Sequence, residues 1–174
     1  RNAAGIFDIS HMGEISIKGP AALPFLNRIL TNDARKLEIG LGQYTLLCNE
    51  KGGVIDDLYL YRLADLDYLL IVNASRINAD FTWIAKQKSA FAEDAGFELE
   101  NRSDEMAAVA IQGPSVARFI DELFPSRSEG GTSASCPSEL RKNQIGVWHI
   151  KAQGHDAHIW LGRTGYTGED GFEI

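Results

Sequence analysis

The segment Asn49-Glu50-Lys51-Gly52-Gly53-Val54-Ile55-Asp56-Asp57-Leu58-Tyr59-Leu60-Tyr61 decides how this chain is read. Before it, Gln43-Tyr44-Thr45-Leu46-Leu47-Cys48 is rich in strand-forming residues. Lys51-Gly52-Gly53 carries turn chemistry and Val54 to Tyr61 returns as a second arm, so the whole predicts a β-hairpin. Two adjacent acids interrupt the returning arm. Neighbours on a strand point to opposite faces, which groups Asp57 with Tyr59 and Tyr61 and leaves Asp56 with Val54, Leu58 and Leu60. An acid on an aromatic-walled face can hold a cationic or hydrogen-bond-donating ligand. The same two acids also suit a solvated hairpin whose charges discourage edge pairing.

The surrounding chain sets the frame for that hairpin. Its 174 residues suffice for one sizeable domain or two small ones, and a net charge of −7 argues against a nucleic-acid-binding surface. No apolar run approaches the ~18 residues needed to span a bilayer, and Arg1 to Phe7 has no leader pattern. Cys48 and Cys136 lie far apart and form no CxxC pair, which predicts free thiols in a reducing compartment, with Cys48 a small core residue. The chain opens without Met and stops inside the strand-like Phe172-Glu173-Ile174, so it is expected to be a piece of a longer polypeptide.

Upstream, Gly13-Glu14-Ile15-Ser16-Ile17 alternates like a half-buried strand, and Gly19-Pro20 opens a helix with Phe25, Leu26, Ile29 and Leu30 on one side. Pro24 conflicts with a helix begun at Pro20 and predicts a bend or a later start. Downstream, Tyr68 to Asn73 suits a central strand, and Ser75 is placed to cap a helix running to about Phe91 with Ile77, Phe81 and Ile84 inward. Phe97 to Asn101 and Ala107 to Gln112 read as further strands. Gly113-Pro114 then starts a helix with Val116, Phe119, Ile120 and Leu123 inward. The segments beginning at Ile15 and Val109 share their Ile, Gly, Pro and Phe positions. That repetition predicts an α+β fold of duplicated split-βαβ, ferredoxin-like units, the first over 1–103 and the second over 104–174.

Pro125 to Ser138 reads as a loop, followed by a hairpin about Gln153-Gly154 formed by Gly146–Lys151 and Asp156–Leu161. His149 is a lone histidine on its strand, and His155 with His158 lacks a third ligand, so no metal site is predicted. Gly162 to Glu173 holds four glycines without a Walker or dinucleotide-binding context. Its Tyr166 and Glu173 suit a flat ligand, since a carboxylate matches a heterocycle edge bearing two N–H donors.

Three stretches, Gly5 to Met12, Asn49 to Leu58 and Arg163 to Ile174, together with Ile71-Val72-Asn73-Ala74 and Ile111-Gln112-Gly113-Pro114, resemble the aminomethyltransferase (T-protein) family of the glycine cleavage system. The resemblance runs along almost the whole chain and is weakest over 125–145. It implies a three-domain enzyme that takes an aminomethyl group from the lipoyl arm of H-protein and passes it to tetrahydrofolate, releasing ammonia and 5,10-methylenetetrahydrofolate. By motif it implies Asp57 as the catalytic acid. Met12, Tyr44, Asp57, Tyr61, Asn73 and Tyr166 would line the folate site, and Glu173 would hold the pterin edge. A fixed carboxylate would stabilise the iminium-like one-carbon unit as ammonia leaves.

The family pattern also implies about forty residues before Arg1 and a C-terminal barrel domain beyond Ile174. The setting it implies is the bacterial cytoplasm, or the mitochondrial matrix in a eukaryote. Relatives that use the fold with other one-carbon donors, the folate domains of dimethylglycine or sarcosine dehydrogenases and folate-dependent demethylases, are an alternative. A non-catalytic folate-binding relative in iron–sulfur assembly carries Lys-Gly-Cys-Tyr-x-Gly-Gln-Glu where this chain has Arg163-Thr164-Gly165-Tyr166-Thr167-Gly168-Glu169-Asp170, without the cysteine.

Overall fold

In the computed structural model, residues 2–91, 96–127, 134–152 and 155–174 are described. The fold is α+β and built on two antiparallel sheets. The chain divides into two compact units, Ser10–Ala107 (the hairpin unit) and Arg1–Ile9 with Ala108–Ile174 (the glycine-loop unit).

In the hairpin unit, β2 (Gly13–Lys18) leads to α1 (Ala22–Ile29), then to β3 (Leu41–Cys48), β4 (Val54–Ala64) and β5 (Asp67–Val72), and α2 (Ile77–Ser89) leads to β6 (Glu98–Asn101). The sheet order is β3-β4-β5-β2-β6 with every pair antiparallel. Strands β2 and β4 are therefore parallel with β5 between them, and β5 and β6 are parallel with β2 between them. This is a split-βαβ arrangement with β3 added at the edge. Phe25 and Leu26 of α1 and Ile84 of α2 close over Ile15, Ile17, Leu58, Leu60 and Leu70 to make the core. Helix α1 begins two residues after Pro20, which places Pro24 in the first turn, where no intrahelical N–H is required. Ser75 caps nothing; it lies inside a 3₁₀ turn, Ala74–Arg76, and α2 starts after it. A register shift at Leu47/Cys48 takes Val54 out of the alternation and leaves it exposed, while Asp56, Leu58 and Leu60 stay on the core side. Cys48 is half-buried rather than part of the core.

The glycine-loop unit contains β1 (Gly5–Asp8), β7 (Val109–Gln112), α3 (Ile120–Leu123), β8 (Ser126–Arg127), β9 (Ile145–Ala152), β10 (His155–Gly162) and β11 (Gly171–Glu173) in the order β1-β7-β11-β10-β9-β8. Gln153-Gly154, the expected hairpin tip, and residues 128–133 of the expected 125–138 loop lie outside the described residues. Strand β1 pairs with β7 along Gly5↔Gln112 to Asp8↔Val109. The first nine residues thus join the later unit rather than the chain that follows them. The helix expected after Gly113-Pro114 is a 3₁₀ turn, Val116–Arg118, followed by only one turn of α3. Val116 and Ile120 are buried, whereas Leu123 is 51% exposed instead of inward. Trp148, Leu161 and Phe172 complete a separate core.

Strand order β9-β10-β11-β7-β1 repeats β3-β4-β5-β2-β6. Ile17 pairs with Tyr68 as Ile111 pairs with Phe172. Gly19 and Gly113 both sit at positive φ, 138° and 141°, in the left-handed half of conformational space. Each donates its N–H to a carbonyl just before the equivalent strand, Leu66 at 2.9 Å and Asp170 at 2.8 Å. The Gly-Pro repeat seen in the sequence is a repeat of the backbone.

Candidate functional site

The two groups of candidate residues fall on the two units, each on the face of its sheet turned away from the helices. In the hairpin unit, alternation along β4 sends Asp57, Tyr59 and Tyr61 to that face and Asp56 to the core side. The Asp57 carboxylate is held at both oxygens: the Tyr44 hydroxyl donates to Oδ2 at 3.2 Å and Asn73 Nδ2 donates to Oδ1 at 3.2 Å. Asn73 directly follows β5, and its amide nitrogen also donates to the Asp57 carbonyl at 3.0 Å and to Asp56 Oδ1 at 2.9 Å. Its backbone N–H reaches Asp56 Oδ2 at 3.3 Å. One side chain therefore gathers both acids of the pair. Loss of solvent, and then the Asp57 carboxylate on its hydroxyl, hold the Tyr44 phenol above its ordinary pKa. Tyr59 and Tyr61 lie ring to ring, centroids 4.9 Å apart, and Tyr61 is 4% exposed. Gly13 pairs with Val72, so Met12 and Asn73 follow at the same end of the sheet. Asp56 is 8% exposed and bonded, not a solvated hairpin charge.

In the glycine-loop unit, Glu173 lies on β11 opposite Ala110 of β7 and Gly162 of β10. Thr164 Oγ1 donates to its Oε2 at 2.6 Å. Burial raises the Glu173 pKa, and the threonine bond only partly opposes that. Tyr166 stands on the loop, 74% exposed. Sequence reasoning passed over the residue that shapes this loop. Gln112, 4% exposed, donates Nε2 to the Thr164 carbonyl at 3.0 Å and accepts Thr167 Oγ1 at 3.0 Å. A Cβ at Gly165 or Gly171 would run into the Gln112 side chain, so the two glycines and the glutamine require one another. The only sequence sign of Gln112 was its place in the Ile111 to Pro114 match. At the loop's base Arg163 Nε and Nη2 grip both Asp170 oxygens, and its Nη1 donates to the Ser138 and Leu140 carbonyls, each at 2.8 Å. That grip holds the Asp170 carboxyl below its usual range.

His149 is not alone. It lies opposite His158, with ring centroids 4.0 Å apart. Among the described residues no group of three or more His, Cys, Asp or Glu is arranged to hold a metal, and no helix is long and apolar enough to cross a membrane.

Duplicated antiparallel sheets of this order define an α+β fold, and two solved structures share it. The crystal structure of glycine cleavage system aminomethyltransferase T from Bartonella henselae is similar at a TM-score of 0.77 and 36% identity, over 99% of this chain and 42% of that one. The heterotetrameric sarcosine oxidase from Corynebacterium sp. U-96 is similar at a TM-score of 0.61 and 13% identity, over 98% of this chain and 74% of that one, which speaks to fold alone. A family model, the GCVT N-terminal domain, matches residues 1–174, and the chain belongs to that family. Aminomethyltransferases from Oceanobacillus iheyensis and Thermus thermophilus are 43% and 44% identical to it over its whole length. The chain spans less than half the length of these relatives, 44% and 45%.

Proposed function

We propose that the protein to which this chain belongs is the aminomethyltransferase of the glycine cleavage system, moving a one-carbon unit from the aminomethyl-lipoyl arm of H-protein to tetrahydrofolate. The observation that carries this reading is Asp57, a carboxylate fixed by Tyr44 and Asn73 beside the Tyr59–Tyr61 pair. Tetrahydrofolate, as acceptor, supplies the nucleophilic nitrogen. The residues present fit such a ligand. Glu173 receives one side-chain donor, from Thr164, and keeps acceptor capacity for a two-donor edge. Tyr44 of the hairpin unit and Tyr166, each at least half exposed, supply flat surfaces.

In this reading Asp57 stabilises the positive charge that develops on the one-carbon unit as ammonia leaves. Because Tyr44 and Asn73 hold it in place beforehand, little reorganisation is needed at the moment of transfer. Met12, Tyr61, Asn73 and Tyr166 line the acceptor. The partner is the lipoylated H-protein and the setting is the bacterial cytoplasm.

The test is made on the full-length protein. Asp57→Asn keeps the shape and removes the charge, and is expected to lower kcat about a hundredfold or more with little change in folate affinity. Asp56→Asn is expected to be much milder. Glu173→Gln turns one acceptor into a donor and is expected to weaken binding of a reduced folate about ten- to a hundredfold by calorimetry. Near-normal turnover by Asp57→Asn, or equal losses from both aspartate variants, would overturn the assignment.

A further inference from the structure

Helix α2 carries a fully buried acid that the proposed chemistry leaves unused. Asp80 is 0% exposed, and neither of its oxygens has a hydrogen-bond donor within range among the described residues. Its side chain faces the Asp56 carboxylate of β4, and the nearby cation is Arg76, whose Nε is also buried without a partner. Two buried carboxylates and one half-buried guanidinium carry a net negative charge if both acids ionise. If one proton is kept, the trio is neutral. The proton belongs on Asp80. Asp56 already accepts two N–H groups from Asn73, whereas neither oxygen of Asp80 accepts any, so it is Asp80 that lacks a partner without a proton of its own.

We propose that Asp80 is a positioning residue: it keeps its proton, donates it to the Asp56 carboxylate, and so holds Asp56 against Asn73, whose amide orients Asp57. Asp56 is then fixed from both sides, by the acid below it and by Asn73 above. The same Asn73 amide nitrogen that reaches Asp56 at 2.9 Å reaches Asp57 at 3.2 Å, so any pivot of Asp56 passes to Asp57 through one rigid group. Burial and then the Asp56 charge raise the Asp80 pKa to about 7, while Arg76 pulls the other way. The role in transfer rests on the proposed function; the shared proton does not.

The experiment uses the full-length protein and three readouts. Infrared spectra near pH 6 (about one unit below the raised value) are expected to show protonated-carboxyl intensity, part of it from Glu14, which burial raises likewise, and Asp80→Asn is expected to remove a distinct component of it. By NMR, the Asn73 side-chain amide is expected to keep its shift in Asp80→Asn, whose own amide still donates to Asp56. It is expected to move in Asp80→Leu, which cannot donate. In turnover, Asp80→Asn is expected to stay within about twofold of the parent kcat. Asp80→Leu is expected to lose about tenfold or more, at a temperature where both are folded, with KM for folate changed less than about threefold. Should Asp80→Leu not fold, the infrared band and the Asp80→Asn arms decide alone. Protonated-carboxyl intensity left unchanged by Asp80→Asn, or equal damage from the two variants, would overturn the proposal. If the parent itself fails to transfer an aminomethyl group, the proposed function falls while the infrared and NMR arms still judge the shared proton.

Discussion

The two hairpins of this chain occupy the same place in two sheets of the same order and do different things. Strands β3 and β4 are matched by β9 and β10. Tyr61 pairs with Leu69 as Gly162 pairs with Glu173, which sets Asp57 and Asp56 level with His158 and Ala157. The mechanical parts are duplicated closely. Arg62 donates to the Leu37 carbonyl at 3.0 Å, grips Asp65 and lies 5.8 Å over Tyr68. Arg163 donates to the Leu140 carbonyl at 2.8 Å, grips Asp170 and lies 5.5 Å over Phe172. Gly40 at φ 78° has its counterpart in Asn143 at φ 68°, and each donates its N–H to the carbonyl of the arginine in its own unit. The chemical positions are not duplicated: where one sheet carries a pinned carboxylate and two neighbouring tilted tyrosines, the other carries two facing histidines and a carboxylate on the next strand over. A fold can repeat its turns and latches because they solve the same backbone problem, while each helix-free face remains open to different chemistry.

Breaking both copies of a latch tests the comparison most severely. Gly19→Ala and Gly113→Ala each force a side chain into positive φ and against backbone, of Gly96–Phe97 in one unit and Ala3–Ala4 in the other. Each is expected to cost about 3 kcal/mol or more, read by chemical or thermal unfolding. A tolerated substitution at either would show that the two turns are not equivalent. Arg62→Met and Arg163→Met remove the donors to otherwise buried carbonyls. A smaller loss is expected, about 1–3 kcal/mol, similar for the two. A cost at one position only would mean that one latch is decorative.

The smallest expected effect is one of pH, and it has opposite signs at Glu14 and Asp80 of the hairpin unit and at Asp170 of the glycine-loop unit. Glu14 and Asp80 of the hairpin unit are buried, which raises each to about 7. A carboxyl raised in the folded state binds its proton more tightly there than in the unfolded chain. Its contribution is therefore most favourable below about pH 4 and declines until about pH 7, where the folded form also ionises. Asp170, held low by Arg163, behaves in the other sense: its contribution is present above about pH 4 and is lost as pH falls further. Hydrogen exchange between pH 4 and 7 is expected to show protection of β2 and α2 falling with rising pH, and Glu14→Gln and Asp80→Asn are expected to flatten that fall. Amides around Arg163 are expected to lose protection on acidification below pH 4. The same response from β2 and α2 as from the amides around Arg163 would contradict the assignment of these acids.

Much of the site was legible because it depends on short-range rules. A period of two is enough to separate Asp57 from Asp56, and glycine spacing is enough to mark the loop that presents Tyr166. The Gly-Pro repeat revealed the duplication because positive φ beside a close backbone approach admits little besides glycine. The short motifs by themselves also carried the family resemblance, which the whole-chain match bears out.

Other features required the tertiary structure, since they depend on which segment lies next to which. Gly5–Asp8 is a short strand with Ile6 and Phe7 exposed, so no alternation announces it, and only pairing with β7 makes it part of the later sheet. Ser75 carries capping chemistry, but the chain leaves β5 through a 3₁₀ turn that takes the residue out of the cap position. His149 gained a neighbour only across a strand pair, and Gln112 gained its role only when two glycines closed on it. Asp80 looked like any polar residue on a helix whose inward positions were set by Ile77, Phe81 and Ile84. Its burial against Asp56 is a consequence of how α2 crosses the sheet, and a local pattern carries no information about that crossing because the desolvation of a charge depends on every element packed around it.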